Sequence, residues 1–416
     1  MIGREMPART FDPALLDQPP SARLAYFDQQ VTVLHPRQED AYLQLWRAVR
    51  RPVGMQEVFL VGPSGVGKST LLRKLRRALL KETLDDLLRD PGRLPLCTVV
   101  AEAPHRSQFS WRQFFVDVLT SLDEPHIEAK VDHVTMTRMP VVPDGFRRSL
   151  PGKPTVDALR EATEQALLHR RPFAVCVDEA HHIAKVAGGR QLKDQSDCIK
   201  SLADRSRTLF VLLGTYELLP MRKQGDQLSR RALTIHLPRY DQGRPADIEI
   251  FKRCLVTFER RLPVQLTPDL LSEWEFLFDY SVGCIGTLKD WLTRALNAAL
   301  FEVVRAADGA VCYDDADCPV TRPARTVTRA HLEQTALSRD DCLNIATLAR
   351  LGEAELAVIP EDLADPRRPT GGGGERAAPF RLRDSSRPST ARARQVGRRL
   401  PYRDPIGRGR PGSLDA

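Results

Sequence analysis

The fold of this 416-residue chain is decided by one stretch, Val58-Phe59-Leu60-Val61-Gly62-Pro63-Ser64-Gly65-Val66-Gly67-Lys68-Ser69. An apolar run leads into a glycine-rich turn, and a helical pattern of leucines follows Thr70. Strand, turn and helix in this order form a phosphate-binding loop, because the backbone N–H groups of the turn and the helix N-terminus face the phosphates. We therefore expect Gly62 to Thr70 to bind a nucleoside triphosphate, with Lys68 on the β- and γ-phosphates and Ser69 on Mg²⁺.

A second apolar run, Phe173 to Val177, ends in Asp178-Glu179. Because it is apolar at every position, it predicts a central parallel strand whose carboxyl end lies beside the phosphate-binding loop. Asp178 is then expected to hold Mg²⁺ through water, and Glu179 to polarise the water that attacks the γ-phosphate. An Asp-Glu pair after a strand can also simply start a loop or cap a helix. The phosphate-binding loop favours the catalytic interpretation.

Residues 178–181 read Asp-Glu-Ala-His, a string that also occurs in one class of helicases. Those enzymes carry a Ser/Thr-Ala-Thr segment and a Gln-x-x-Gly-Arg-x-Gly-Arg segment further on, and neither occurs in this sequence. The helicase interpretation is therefore not favoured.

Two further segments extend the predicted site. A third apolar run, Leu209 to Leu213, ends in Gly214-Thr215, and the Thr215 hydroxyl is expected to touch the γ-phosphate or orient the attacking water, unless it only begins a turn. Asp226-Gln227-Leu228-Ser229-Arg230-Arg231 then precedes a short predicted strand. We expect Arg231, or else Arg230, to reach the nucleotide of a neighbouring subunit as an arginine finger. Elsewhere, an arginine pair usually indicates only a solvated surface.

The order of these motifs, with a helical portion after them, resembles the AAA+ ATPases and, within them, the TnsC/TniB/MuB group of transposition regulators. The ATPase motifs are common to AAA+ proteins, whereas other segments favour the narrower group. The segments that carry the resemblance are Thr98-Val99-Val100 with Pro104-His105, Val177-Asp178-Glu179-Ala180, Leu213-Gly214-Thr215, Asp226 to Arg231, and Gly283-Cys284-Ile285-Gly286-Thr287-Leu288.

The resemblance implies an α/β fold, an AAA+ P-loop NTPase with a parallel sheet flanked by helices, a C-terminal helical lid and a disordered basic tail. It implies ATP and Mg²⁺ as cofactors, and a homo-oligomeric ring or helical filament on double-stranded DNA. It also implies a DDE transposase and a TniQ-type targeting protein as partners, with hydrolysis driving disassembly. One position departs from the family pattern: Gly286 stands where AAA+ proteins often carry a sensor arginine. Lys289, one turn on, is a candidate replacement.

Hydrophobic patterning predicts four regions: an N-terminal extension (1–30), the α/β domain (31–240), the helical lid (241–345) and a flexible Gly/Pro/Arg-rich tail (346–416). In the lid, Ile248, Phe251, Leu255 and Phe258 repeat at helical spacing. Leu34 and His35, just before the first predicted helix of the α/β domain, are candidates for the wall that faces the adenine. Ordinary packing explains the pair equally well.

Charge is concentrated in the tail. The chain carries a formal charge of +8, and residues 370–416, with 11 Arg and 4 acidic residues, account for +7 of it. This segment is rich in glycine, proline and serine, so we expect a flexible arm that contacts DNA or a partner, or that merely aids solubility. The rest of the chain is nearly neutral, so any DNA surface must come from local clusters. The candidates, each of which can equally be a solvated surface charge, are Arg106, Arg112, Arg147, Arg148 and Lys153.

Cysteine usage and hydropathy indicate where the protein is located and which further sites it has. The eight cysteines form no C-x-x-C pair and are expected to be free thiols, although Cys312 and Cys318 are close enough in sequence to pair or bind metal. No secretory signal or membrane-length apolar stretch is evident, so we expect a cytoplasmic protein without a membrane partner. Two other functions stay open: an ATP-binding scaffold with negligible hydrolysis, and another AAA+ DNA machine such as a helicase loader.

Overall fold

Five parallel strands form the central sheet, in the order β2-β3-β4-β1-β5. They are β1 (Glu57–Val61), β2 (Cys97–Val100), β3 (Ala174–Asp178), β4 (Leu209–Gly214) and β5 (Ala232–His236). The predicted parallel sheet flanked by helices is confirmed.

The computed structural model describes residues 9–104, 109–131, 153–185, 189–223 and 231–357. Short 3-10 segments occur at Pro13–Asp17, Ile127–Ala129 and Tyr216–Leu218, and a π-helical turn at Tyr26–Gln30. The α-helices are α1 (Pro20–Ala25), α2 (Pro36–Arg50), α3 (Lys68–Glu82), α4 (Leu84–Arg89), α5 (Trp111–Ser121), α6 (Val156–Arg170), α7 (His181–Ala184), α8 (Gly189–Ser206), α9 (Leu219–Lys223), α10 (Pro245–Glu259), α11 (Trp274–Ser281), α12 (Ile285–Leu300), α13 (Arg329–Thr335) and α14 (Arg339–Ala357). A two-stranded antiparallel ribbon pairs β6 (Glu302–Val303) with β7 (Thr321–Arg322).

Both faces of the sheet are covered, which explains why its strands read as continuous apolar runs. Successive side chains of a strand point to opposite faces. Val58 and Leu60 accordingly pack with leucines of α2 and α3, whereas Phe59 and Val61 share a core with residues of α5, α6 and α8.

A separate apolar core holds the helices after the sheet. It contains Phe251 and Phe258 of α10, and Leu288 and Trp291 of α12. The N-terminal segment belongs to it as well, because Phe27 is fully buried there. Each aromatic side chain buries a large apolar area in such a core.

Strand register brings the predicted motifs to one edge of the sheet. Val61 pairs with Gly214, and Val177 with Leu212. The chain that follows β1, β3 and β4 therefore emerges at neighbouring positions along the carboxyl edge. In open α/β sheets this edge is where ligands bind.

The last described helix, α14, continues to Ala357, twelve residues into the segment predicted as tail. Its alanine, leucine and glutamate residues are strong helix formers, and its buried Ala349 belongs to a core of the sheet. The rest of the predicted tail, residues 358–416, lies outside the described residues.

Candidate functional site

The turn after β1 has the backbone of a phosphate-binding loop. Gly65 and Gly67 adopt left-handed conformations with φ of 72° and 103°, which L side chains rarely tolerate. Gly62 is needed for another reason, since a Cβ there would lie closer than 3.0 Å to the Leu237 carbonyl oxygen. Helix α3 then begins at Lys68, so its free N–H groups face the turn.

Lys68 is folded into the turn. Its ammonium donates to the carbonyl oxygens of Gly62 at 2.9 Å and Pro63 at 2.8 Å. The side chain is buried, and burial lowers the pKa of Lys68 while the nearby carboxylates of Glu179 and Asp178 raise it. Two acceptors and two carboxylates keep a buried cation at this position.

The tip of β3 carries the acidic pair. Asp178 Oδ1 accepts a hydrogen bond from the backbone N–H of Glu179 at 3.0 Å. Glu179 has a φ of 52°, a left-handed conformation that is uncommon for any residue except glycine. Such backbone strain is found most often at functional sites. The Glu179 side chain is half exposed and lines the cavity described next.

A cavity of about 470 Å³ opens above these loops, within the range of small-molecule sites. Thr215, at the tip of β4, lines it, and the Thr215 hydroxyl has no hydrogen-bond partner among the described residues. The loop residues on the cavity wall are Ser64, Gly65, Val66, Gly67, Lys68, Ser69 and Thr70. Thus Ser64 to Thr70, Glu179 and Thr215 face one space. Of the other predicted residues, Gly62 and Pro63 lie outside the lining, and Asp178 adjoins Glu179.

The two candidates for the wall that faces the adenine differ in burial and in position relative to the cavity. His35 is buried and lines the cavity, whereas Leu34 is 55% exposed and lies outside the lining. The Tyr240 hydroxyl lies 2.8 Å from His35 Nδ1. Burial, and then the charge of Arg37, lowers the pKa of His35 to about 4. The imidazole is therefore neutral near pH 7, and its Nδ1 shares one hydrogen bond with the Tyr240 hydroxyl.

Sequence reasoning missed Gln38, a buried residue of α2 that also lines the cavity. Its Nε2 donates to the Gly67 carbonyl oxygen at 3.2 Å and so supports the phosphate-binding loop. Gln38 shares the buried face of α2 with Ala41 and Leu45. A polar residue on an apolar stripe was the signal available in the sequence.

Helix α12 of the lid touches the loop directly. The Thr287 N–H donates to the Gly65 carbonyl oxygen at 2.9 Å, which satisfies one of the free donors at the start of α12. A Cβ on Gly286 would lie closer than 3.0 Å to the same oxygen. No side chain, including the sensor arginine that AAA+ proteins often carry, fits at position 286 in this packing.

Lys289 lines the cavity from α12. Its ammonium lies 4.4 Å from the centre of the Phe27 ring and donates to Thr293 Oγ1 at 3.0 Å. Burial lowers the pKa of Lys289, whereas Asp28 and Asp290 raise it. A cation therefore does face this space from the lid, one turn beyond Gly286.

Arg231 lies far from its own chain's loop. It precedes β5, whose first residue pairs with Glu57 at the start of β1, so roughly 16 Å separate it from the loop at about 3.3 Å per residue. The side chain is 61% exposed, and its Nη1 lies 3.8 Å from Asp204 Oδ1. Arg230 lies outside the described residues.

The predicted DNA contacts are only partly described. Arg112, on α5, donates to the Pro154 carbonyl oxygen, and Lys153 is exposed next to that residue. Arg106, Arg147 and Arg148 lie outside the described residues.

Three wider properties concern the described part of the chain. All eight cysteines, including Cys312 and Cys318, are free thiols. No group of three or more His, Cys, Asp or Glu side chains there could hold a metal ion. None of its helices is long and apolar enough to cross a membrane.

Residues 55–221 match the family model of the AAA domain. This region of the chain is similar to the AAA domain. The matched region contains the phosphate-binding loop, the Asp178-Glu179 pair and Thr215. With the parallel sheet, it identifies the fold as that of an AAA+ P-loop NTPase. No curated protein matches the chain.

Several solved structures are similar to this chain at low sequence identity. A Walker-type ATPase of Pyrococcus abyssi is 17% identical with a TM-score of 0.38, over 63% of this chain and 67% of that one. The ORC2 protein of Aeropyrum pernix, in ADPNP and ADP complexes, is 15% identical with a TM-score of 0.42, over 78% and 71%. The ORC1 protein of Aeropyrum pernix, in complex with DNA, is 17% identical with a TM-score of 0.44, over 75% and 68%.

Proposed function

We propose that this AAA+ protein binds and hydrolyses ATP, assembles on double-stranded DNA and recruits a DDE transposase. One observation carries the ATPase part: the phosphate-binding loop, Glu179 and Thr215 line a single cavity. The nucleotide fits the residues present, because the left-handed glycines leave the loop backbone open and Lys68 supplies a buried cation. Ser69 and Asp178 would hold Mg²⁺, which when bound neutralises phosphate charge.

Each residue of the site has a chemical role in this proposal. The loop N–H groups and Lys68 bind the phosphates, while Glu179 accepts a proton from the attacking water. The unpartnered hydroxyl of Thr215 orients that water or the γ-phosphate. His35 forms part of the cavity wall that faces the adenine of ATP, and Lys289 faces the same cavity from the lid.

Arg231 serves a neighbouring subunit in this proposal. Arg231 lies at the amino-terminal edge of the sheet, too far away to reach the phosphate-binding loop of its own chain. Its side chain is exposed and is therefore accessible to a second copy of the chain. An arginine that reaches a neighbour's γ-phosphate stabilises the charge of the transition state only when subunits assemble. ATP would then control assembly, and hydrolysis would release the complex.

The DNA and transposase parts rest on the resemblance to the TnsC/TniB/MuB group, through Leu213-Gly214-Thr215 and Gly283 to Leu288. Arg106, Arg112, Arg147, Arg148 and Lys153 are the proposed phosphate contacts on DNA. Contacts of this kind give affinity with little sequence preference, which suits a protein that accepts many targets. A TniQ-type protein is the proposed second partner.

ATP turnover and retention on double-stranded DNA, measured together, test the proposal. Lys68→Ala should abolish ATP binding, whereas Glu179→Gln should bind ATP, stop turnover and stay on DNA. Parent protein that binds ATP without hydrolysing it would support a scaffold instead. A variant Glu179→Gln that hydrolyses at the parent rate would remove Glu179 from the mechanism.

Mixing variants tests whether Arg231 acts between subunits. Arg231→Ala and Glu179→Gln should each be inactive alone, yet a mixture should recover turnover, because an intact site of one subunit meets an intact arginine of the other. Arg244→Ala, which removes another exposed arginine, is the matched control and should hydrolyse ATP without mixing. Absence of recovery would contradict the role in trans.

A further inference from the structure

The loop that carries Glu179 is packed directly against the loop that carries Thr215. The Ala180 N–H donates to the Leu213 carbonyl oxygen at 2.7 Å. A Cβ on Gly214 would lie 3.1 Å from the His181 backbone nitrogen, so glycine allows the tips of β3 and β4 to approach this closely. Because the two loops are closely packed, movement of one loop displaces the other.

One side chain, that of His181, bridges the two loops. It is buried, and its Nδ1 lies 3.2 Å from Glu179 Oε2. Its Nε2 lies 3.9 Å from an oxygen of Glu217, which is two residues beyond Thr215. His181 Nδ1 has no hydrogen-bond partner among the described residues as the side chains stand. The 3.2 Å distance is short enough for a hydrogen bond once the half-exposed Glu179 side chain rotates to align with the ring. Catalytic hydrogen bonds commonly tighten in this way when the site fills.

We propose that His181 is a positioning residue for Glu179: its imidazole holds the Glu179 carboxylate at the cavity. The proposal rests on the water-activating role of Glu179 proposed above. His181 is not itself a cavity-lining residue. Its effect on the reaction passes through the orientation of the carboxylate.

Glu179 needs such a partner for a physical reason. Its carboxylate is half exposed and is attached to a backbone in the left-handed region, so the side chain has alternative positions and local strain. A general base works only within hydrogen-bond reach of the proton it accepts. A donor fixed in the core selects the useful position before ATP arrives.

The protonation state of His181 fits a single donor. Burial and then His182 lower the pKa of His181, whereas Glu179 and Glu217 raise it and Lys185 lowers it. These are the charged and titratable groups that face the ring from its own loop and from the Thr215 loop. A neutral imidazole with its proton on Nδ1 is able to donate to Glu179, while its Nε2 is an acceptor and forms no hydrogen bond with Glu217 at 3.9 Å.

Steady-state kinetics of the full chain separate positioning from binding. His181→Ala should lower kcat by about tenfold to a hundredfold, the usual cost of a misplaced catalytic group, while KM for ATP changes by less than about threefold because the phosphate contacts remain. His181→Asn places an amide donor near the position of Nδ1 and should recover most of the lost turnover. His182→Ala is the matched control, because it removes the neighbouring imidazole ring, whose centre lies 4.3 Å from that of His181.

The results distinguish the two proposals. If Glu179→Gln does not hydrolyse ATP and His181→Ala hydrolyses it at the parent rate, His181 has no positioning role. The water-activating role of Glu179 would then still stand. If His181→Asn is as slow as His181→Ala, the donor is not what matters and the inference is wrong. If Glu179→Gln hydrolyses at the parent rate, the role of Glu179 itself is wrong.

A measurement without nucleotide tests the contact itself. In a histidine-labelled protein followed by NMR, Glu179→Gln should move the titration of His181 to lower pH, because it removes a neighbouring negative charge. An unchanged His181 titration would overturn the proposed link between the two side chains.

Discussion

Gly286 shows how one missing side chain sets the distance between two parts of the molecule. The start of α12 rests on the phosphate-binding loop through Thr287 and Gly65, and only a residue without a Cβ permits that contact. The absent sensor arginine is therefore a geometric consequence of close packing. Any cation that the lid supplies must come from further along α12, where Lys289 lies.

Substitution of Gly286 should weaken ATP binding. In Gly286→Ala the new methyl group overlaps the Gly65 carbonyl oxygen, so either α12 or the loop must move, at a typical overpacking cost of about 1–3 kcal/mol. We expect the Kd for ATP to rise by roughly tenfold, since 1.4 kcal/mol corresponds to a factor of ten. Gly286→Arg should bind no better, because its Cβ meets the same obstacle.

Equilibrium ATP titration, with urea unfolding of the nucleotide-free protein beside it, checks this expectation. Asn297→Ala, an exposed change on the same helix, is the control and should behave as the parent. Tight ATP binding by Gly286→Ala would mean that α12 leaves the loop when the nucleotide binds.

At the scale of elements, helix α14 begins at the end of the lid and packs against the chain just beyond the end of β4. Gly352 packs on the Tyr216 ring, and Ala349 is buried in a core of the sheet. Arg239 Nε lies 3.3 Å from Glu353 Oε1. Tyr216 directly follows Thr215, so the docking of α14 reaches within one residue of the candidate site.

Gly352→Ala should therefore reduce stability, although alanine normally favours a helix over glycine by about 1 kcal/mol. A Cβ at position 352 would overlap the Tyr216 ring, and overpacking costs about 1–3 kcal/mol. The midpoint of urea unfolding, followed by circular dichroism, should fall relative to the parent. Leu351→Ala, in an exposed position of α14, should change the midpoint little. A stabilised Gly352→Ala would show that helix propensity outweighs this contact.

These two glycines also mark the limit of what the sequence predicts. Local patterns sufficed for β1, β3, β4 and the loop, because each motif is contiguous and carries its own periodicity. The bridging position of His181, the support from Gln38 and the docking of α14 depend on contacts between distant segments. Helical periodicity places a residue on a face but does not say what that face meets.

At the scale of the whole molecule, three ionisable groups make stability depend on pH: two of them, His35 and Glu57, are buried, and His236 is half-buried. Burial lowers the pKa of His35 and of His236 to about 4. His35 lies 2.8 Å from the hydroxyl of Tyr240, and His236 lies 3.0 Å from that of Tyr216. Glu57 behaves in the opposite way, because burial of its carboxylate without a hydrogen-bond partner among the described residues raises its pKa to about 7.

The signs of these shifts predict opposing slopes. Between pH 6.5 and 4 the unfolded chain protonates the two histidines and the folded chain does not, so their contribution to stability is lost as pH falls, by up to about 1.4 kcal/mol per pH unit for each. Glu57 holds its proton in the folded state from below pH 4.5 up to about 7, so its contribution is lost as pH rises through that range. The two histidines together outweigh the one carboxyl group. The free energy of unfolding should therefore still decrease on acidification from pH 6.5 to 4.5.

Urea unfolding of variants at pH 6.5, 5.5 and 4.5 resolves these contributions. His35→Asn, whose side-chain oxygen can still accept from Tyr240, should flatten the decrease because one titrating base is gone. Glu57→Gln should steepen it, because a neutral amide of the same shape no longer offsets the histidines. His169→Asn, at an exposed position of α6, is the control and should keep the parent slope. If His35→Asn keeps that slope too, His35 is protonated in the folded protein at pH 4.5 to 6.5, and the neutral imidazole at the cavity wall would be wrong.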